Sequence, residues 1–101
     1  MPLALNFSRQ AGRFMDKLER ANNSDWRKIW SRLENLPSNP LPPQAGRMSG
    51  CDAEIYRLRV GDYRIIYSFD DETMRIFIIE RRSKAYQKFR ITFIQSGGWQ
   101  P

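Results

Sequence analysis

A chain of 101 residues, 41% hydrophobic, 13% aromatic and 28% charged, has room for one hydrophobic core and the balance of a folded protein, so residues 1–101 read as a single domain. With one cysteine, Cys51, and no histidine, an internal disulfide is impossible and a zinc site nearly excluded, which leaves Arg, Lys, Tyr, Asp, Glu, Ser or Thr for any chemistry and predicts no metal and no cofactor. The net charge of +6 is dominated by arginine, 13 of the 17 basic residues, and planar guanidinium forks suit phosphate better than a lysine-rich surface would, although a basic surface without a specific ligand is the plainer explanation of charge alone.

In chain order, a short apolar stretch is followed by Phe7, Ala11, Phe14, Met15 and Leu18, whose spacings of three and four predict an amphipathic helix. Asn22-Asn23-Ser24 interrupts it, and Asn23 or Ser24 is the expected N-cap of a second helix with Asp25 in its first turn and Trp26, Ile29, Trp30, Leu33 and Leu36 as its stripe. Residues 37–46 carry four prolines and read as an ordered connector or hinge. From Ile55 the period changes to two. Tyr56–Val60, Tyr63–Phe69 and Arg75–Glu80 are expected as three strands of a β-meander, the third the most buried, with turns at Gly61-Asp62 and Asp70-Asp71-Glu72. Beyond them, residues 84–89 suit a short helix and Ile91-Thr92-Phe93-Ile94 a strand, ended by Ser96-Gly97-Gly98. The fold class that results is α+β, with two N-terminal helices packed on one face of an antiparallel sheet through Tyr56, Leu58, Ile65 and Tyr67.

Alternation along the strands sends Arg57 and Arg59 to the face opposite Tyr56, Leu58 and Val60, and Arg64 to the face opposite Tyr63, Ile65 and Tyr67. Pairing around the Gly61-Asp62 turn gathers these arginines on one face, where Arg81 and Arg82 could join them. Like charges so gathered call for an anion, or for ordinary surface pairing with Asp70, Asp71, Glu72 and Glu80. Tyr63, Tyr67 and Phe77 fall on apolar faces and are expected in the core rather than as base-stacking platforms.

The run Arg57-Leu58-Arg59-Val60-Gly61-Asp62-Tyr63-Arg64-Ile65-Ile66-Tyr67, then an acidic turn, an Ile-rich strand and Arg81-Arg82-Ser83-Lys84-Ala85-Tyr86, resembles the RelE/ParE toxins of type II toxin-antitoxin systems over about residues 1–86. The resemblance implies a microbial RNase-like α+β fold, a ribosome-dependent endoribonuclease that cuts mRNA and inhibits translation, and an antitoxin partner that wraps the toxin. It implies catalytic roles for Arg64 at the scissile phosphate, for Arg82 and for Tyr86, and RNA contacts for Arg47, Arg57, Arg59, Arg81 and Lys84. Many relatives carry histidine where Arg81 stands. Arginine accepts no proton in a protein, so proton transfer falls to Tyr86, Lys84 or Glu54, or gives way to electrostatic stabilisation alone. The alternatives are a ParE-like inhibitor of DNA gyrase and a catalytically inactive module that binds nucleic acid or antitoxin. With no apolar run of the roughly 18 residues that span a membrane and no export signal in Met1-Pro2-Leu3-Ala4-Leu5-Asn6, the expected location is the cytoplasm.

Overall fold

The computed structural model describes residues 2–49 and 54–94. Cys51 and the Ser96-Gly97-Gly98 breaker lie outside them. Strand β1 (Ala4–Phe7) leads into helix α1 (Arg9–Ala21), helix α2 (Asn23–Asn35), a 3-10 turn at Leu36–Ser38, and strands β2 (Ala45–Arg47), β3 (Tyr56–Val60), β4 (Tyr63–Phe69) and β5 (Thr73–Arg81). Helix α3 (Ala85–Phe89) follows and continues into a π-helical turn, Arg90–Ile94. The five strands form one sheet in the order β1-β5-β4-β3-β2, antiparallel except for the β1–β5 pair.

The first departure from the sequence reading is β1. Phe7 heads the apolar spacing of α1 but sits in a strand, paired with Ile76, because Ser8 stops the strand and starts the helix. Its backbone N–H donates to the Ile76 carbonyl (2.9 Å), its Oγ–H donates to the Phe77 carbonyl (2.6 Å), and the same Oγ accepts from the Ala11 N–H (3.0 Å). One buried hydroxyl thus caps α1 and ties it to β5. Ser8→Ala removes the cap and a donor to a buried carbonyl at once; the expected loss is about 1–2 kcal/mol of unfolding free energy, read from urea denaturation midpoints. An unchanged midpoint would show that water replaces both bonds.

The break between the helices is shorter than expected. Asn22 alone separates them, so it, and not Asn23 or Ser24, is the cap: its backbone N–H donates to Leu18 (2.8 Å) to close α1, and its Oδ1 accepts from the Asp25 N–H (3.1 Å) to open α2. Both helices then pack on the same sheet face, as expected. Ala11, Met15, Leu18, Ile29 and Leu33 bury against Leu58, Val60, Ile65, Tyr67, Ile76 and Ile79. The proline-rich connector is ordered, held by the Tyr67 hydroxyl on the Pro40 carbonyl, and its end forms the short strand β2, which the sequence did not reveal.

The second departure is larger. Tyr63, Tyr67 and Phe77 are core residues, as their spacing indicated, but Phe77 belongs to a different core on the other face of the sheet. Between Ile66↔Ile78 and Tyr67↔Ile76 the register advances one residue on β4 and two on β5. This bulge breaks the alternation, so the adjacent Phe77 and Ile78 both face the second core while Ile76 and Ile79 face the first. Ala85, Phe89 and Phe93 cover that second core, with Phe77 edge-on to Phe89 (centroids 5.7 Å) and to Phe93 (4.9 Å). The expected strand at Ile91–Ile94 is therefore not formed. Residues 85, 89 and 93 recur at intervals of four, one side of a helix, and burying that side outweighs the β-propensity of the Ile-Thr-Phe-Ile run. No helix among the described residues is long and apolar enough to cross a membrane.

Candidate nucleic-acid interface

The strand register gathers the arginines. Arg57 pairs with Ile66, Arg59 with Arg64, and Arg64 with Glu80, so all of these side chains start from the same face of the sheet as Ile66 and Ile78. The sequence left that face open to solvent. In the structure α3 and the following turn roof its apolar part, and the basic groups are left in two places, beside α3 and at the β3–β4 turn.

Beside α3 lies a groove of about 440 Å³ lined by Met48, Ser49, Arg57, Tyr86, Phe89, Arg90 and Ile94. Arg57 is half-buried, and its guanidinium lies over Gly46 of β2, where an added Cβ would sit 3.6 Å from the Arg57 Cζ. Tyr86, on the wall of this groove, is 40% exposed, an unusual position for a large aromatic ring. At the turn, Arg64 Nη1 donates to the carbonyls of Gly61 (2.9 Å) and Tyr63 (2.8 Å). These bonds fix the guanidinium plane and use two of its five donors, leaving the Nε and Nη2 edge for an anion. Gly61 adopts φ +57°, the left-handed conformation that a two-residue hairpin turn needs. Arg82 is exposed just past β5, and its backbone N–H donates to the Asp62 carbonyl (2.8 Å), so it is anchored on the same turn as Arg64.

The remaining sequence-derived residues are scattered. Arg47 is exposed at the end of β2, opposite Tyr56, and Lys84 is exposed in the turn before α3. Arg59 is exposed on β3 and lines a different groove, with α2. Arg81 does not join the arginine face: its guanidinium lies 5.3 Å from the ring centre of Tyr63, on the side covered by α1 and α2. Glu54, a candidate for proton transfer, accepts from the Tyr56 hydroxyl at 3.4 Å. Arg90 was missed by the sequence reading because only the helical course after Phe89 brings it to the groove. Also missed was the ion pair of Glu80 with Lys88 (3.3 Å), which ties β5 to α3; the Lys88 side chain is 45% exposed, whereas Glu80 is buried and also accepts from the Arg81 N–H (3.0 Å).

Tyrosine environments separate function from structure. Burial and a 2.7 Å hydrogen bond to Asp25 raise the pKa of Tyr63, and burial raises that of Tyr67 further, so both stay neutral packing groups. In the turn between β4 and β5, the Asp70 carboxyl is held below its ordinary range by the backbone N–H groups of Glu72 and Thr73, with Arg75 adding to the effect. Among the described residues no group of three His, Cys, Asp or Glu is placed to hold a metal ion.

Residues 5–86 match the family model of the ParE toxin of the type II toxin-antitoxin system parDE. The chain belongs to this toxin family. The match runs from Leu5 in β1 to Tyr86 and so takes in all of the sheet but Ala4 and every sequence-derived site residue. The toxin is 36% identical over 69 residues to the RelE1 protein of Methanocaldococcus jannaschii, an alignment covering 63% of this chain and 76% of the relative. Among solved structures it superposes on the YoeB dimer of Staphylococcus aureus with a TM-score of 0.70 at 20% identity, covering 81% of this chain and 99% of the other. It superposes on the archaeal RelE–RelB complex of Pyrococcus horikoshii with a TM-score of 0.66 at 25% identity, covering 84% and 100%. The α+β fold of the toxin, helices on a five-stranded, mostly antiparallel sheet, is that of these neighbours.

Proposed function

We propose that this toxin cleaves mRNA on the ribosome, in the cytoplasm, by a metal-independent attack of the 2′-hydroxyl on the adjacent phosphate. The bond from phosphorus to the 5′ oxygen of the next nucleotide breaks, leaving a 2′,3′-cyclic phosphate and a 5′-hydroxyl. The nucleophile comes from the substrate. The protein must align the strand, stabilise the extra negative charge of the phosphorane, and move one proton off the attacking oxygen and one onto the leaving oxygen. The observation that carries this proposal is the single groove shared by the Arg57 guanidinium and the exposed Tyr86 ring on the arginine face of the sheet. Arg64, oriented by two carbonyls, is the donor to the phosphorane; Arg57 and Arg82 hold neighbouring phosphate oxygens; Tyr86 stacks on a base or moves a proton. Arg47, Arg59 and Lys84 attract the flanking backbone.

An acidic or amphipathic antitoxin is the proposed partner, supported by the +6 charge and by the RelE–RelB complex among the structural neighbours. Tyr86→Phe on programmed ribosomes distinguishes the two roles of the tyrosine. If Tyr86 moves a proton, single-turnover cleavage falls on the order of a hundredfold or more, whereas a stacking role leaves the rate near wild type. Cleavage should persist when magnesium is chelated to the lowest level that keeps ribosomes intact. Induction that blocks replication while mRNA stays whole would overturn the nuclease proposal.

A further inference from the structure

The strand register sets Glu80 of β5 directly opposite Arg64 of β4. Side chains so placed start with their Cβ atoms about 4.5–5.5 Å apart, and opposite charges there attract each other across the ladder. These two are not joined. Arg64 Nη1 turns back to the carbonyls of Gly61 and Tyr63, and among the described residues Arg64 forms no ion pair. Both oxygens of the Glu80 carboxylate are engaged elsewhere: Oε1 accepts from the Arg81 backbone N–H (3.0 Å) and Oε2 from Lys88 Nζ (3.3 Å). The cation that holds Glu80 therefore comes from α3, not from the neighbouring strand.

The two flanks of α3 differ. Tyr86 and Arg90, four residues apart, line the Arg57 groove, whereas Lys88 and Thr92, also four apart, line a separate cavity of about 460 Å³ together with Glu80 and with Arg9 and Arg13 of α1. Lys88 thus draws the carboxylate to the flank that does not face the groove. A buried carboxylate without a cation is costly, and a charge-assisted bond is about twice as strong as a neutral one. Released by Lys88, Glu80 would outcompete two neutral carbonyls for the Arg64 guanidinium across the ladder. Arg64 so paired would have its charge offset and its free edge turned to a carboxylate, when the developing phosphorane needs both. We infer that Lys88 is a positioning residue for cleavage, which acts by holding Glu80 and so keeps the Arg64 guanidinium unpaired and available to the phosphorane. The same ion pair ties α3 to β5, but a tether and a restraint on Glu80 differ in one consequence. If Lys88 only tethers α3, losing Glu80 as well repairs nothing. If Lys88 restrains Glu80, losing the carboxylate removes the competitor and makes Lys88 dispensable.

This inference rests on Arg64 being the donor to the phosphorane, and the test keeps the two apart. Cleavage of mRNA on programmed ribosomes is measured for Lys88→Met, Glu80→Gln, the double variant Lys88→Met/Glu80→Gln and Arg64→Ala, each in the full chain with its fold checked by circular dichroism. Lys88→Met should lower kcat about tenfold with KM little changed, part of the loss expected for Arg64→Ala. Glu80→Gln keeps an acceptor for the Arg81 N–H and should cut near the wild-type rate. The double variant should return to within about twofold of wild type, a coupling that independent sites do not show. A second readout needs no activity: the Nε–Hε resonance of Arg64, identified by its loss in Arg64→Ala, should shift in Lys88→Met and return in the double variant. A folded Lys88→Met protein that cuts at the wild-type rate, as when Arg9 or Arg13 takes over the carboxylate, would overturn the inference and leave Arg64 in the site. A double variant no faster than Lys88→Met would overturn it in favour of a tether or of direct substrate contact by Lys88. Wild-type cleavage by Arg64→Ala, with the resonance moving as expected, would overturn the Arg64 assignment and with it the role of Lys88 in cleavage.

Discussion

Arg64→Ala is expected to slow single-turnover cleavage of ribosome-bound mRNA by on the order of a hundredfold to a thousandfold, equivalent to about 2.7–4 kcal/mol of lost transition-state stabilisation, in a protein that remains folded. The magnitude follows from preorganisation. The guanidinium is already held by the carbonyls of Gly61 and Tyr63, so the charge that develops on the phosphorane meets donors that need not reorient. Arg64→Lys is expected to recover only part of the rate, because an ammonium offers a point charge and cannot bond two carbonyls and still present a planar fork. Stability should fall by about 1 kcal/mol, since both bonds are to a turn at the edge of the sheet and can be replaced by water. Circular dichroism and urea denaturation establish the fold. A folded Arg64→Ala protein cutting at the wild-type rate would remove Arg64 from the site.

Phe89→Ala should have the largest effect on stability, about 3–5 kcal/mol, a large part of the roughly 5–15 kcal/mol that holds a domain together. Phe89 is 3% exposed, edge-on to Phe77 and stacked on Phe93 at 5.8 Å, so truncation opens a cavity in the smaller core, where little else can collapse into it. The functional consequence separates this residue from ordinary packing. Tyr86 lies one turn earlier on α3 and Arg90 directly after, so loosening the roof displaces both groups from the Arg57 groove. Ile29→Ala, a fully buried change beneath α2, serves as the comparison at about 2–5 kcal/mol. With cleavage measured well below each unfolding midpoint and normalised to the folded fraction, Phe89→Ala should lose at least tenfold and Ile29→Ala should stay near wild type. Equal normalised rates would mean that α3 serves stability alone.

Much of the architecture is legible locally because helix and strand periods differ. Ala11, Met15 and Leu18 recur at helical spacing, and Leu58, Val60, Ile65 and Tyr67 alternate, so one face of the sheet and the helices that cover it follow from pattern alone. The Gly61-Asp62 turn then sets the pairing of β3 with β4, and with it the gathering of Arg57, Arg59 and Arg64 on the opposite face. The same run of residues carries the resemblance to the toxin family that the family match bears out.

What local pattern could not supply was anything decided by a distant partner. β1 is a strand because β5 offers it a parallel edge some seventy residues away, and no period in Leu3–Phe7 announces that edge. The bulge at Phe77 depends on the offset between β4 and β5, and it alone turns two neighbouring residues toward the second core. Residues 91–94 have the composition of a strand, yet Phe93 is worth more buried beside Phe77 than paired in a ladder, so the chain stays helical and carries Arg90 to the groove. Sequence by itself determined the charge, the two periods and the face on which the arginines start, because these are properties of neighbours along the chain. Only the tertiary structure decided where those arginines end. Arg57 lies beside Tyr86, Arg64 is fixed to its turn, and Arg81 is held over Tyr63 on the other side, because a long side chain settles against whatever the folded surface brings within its reach.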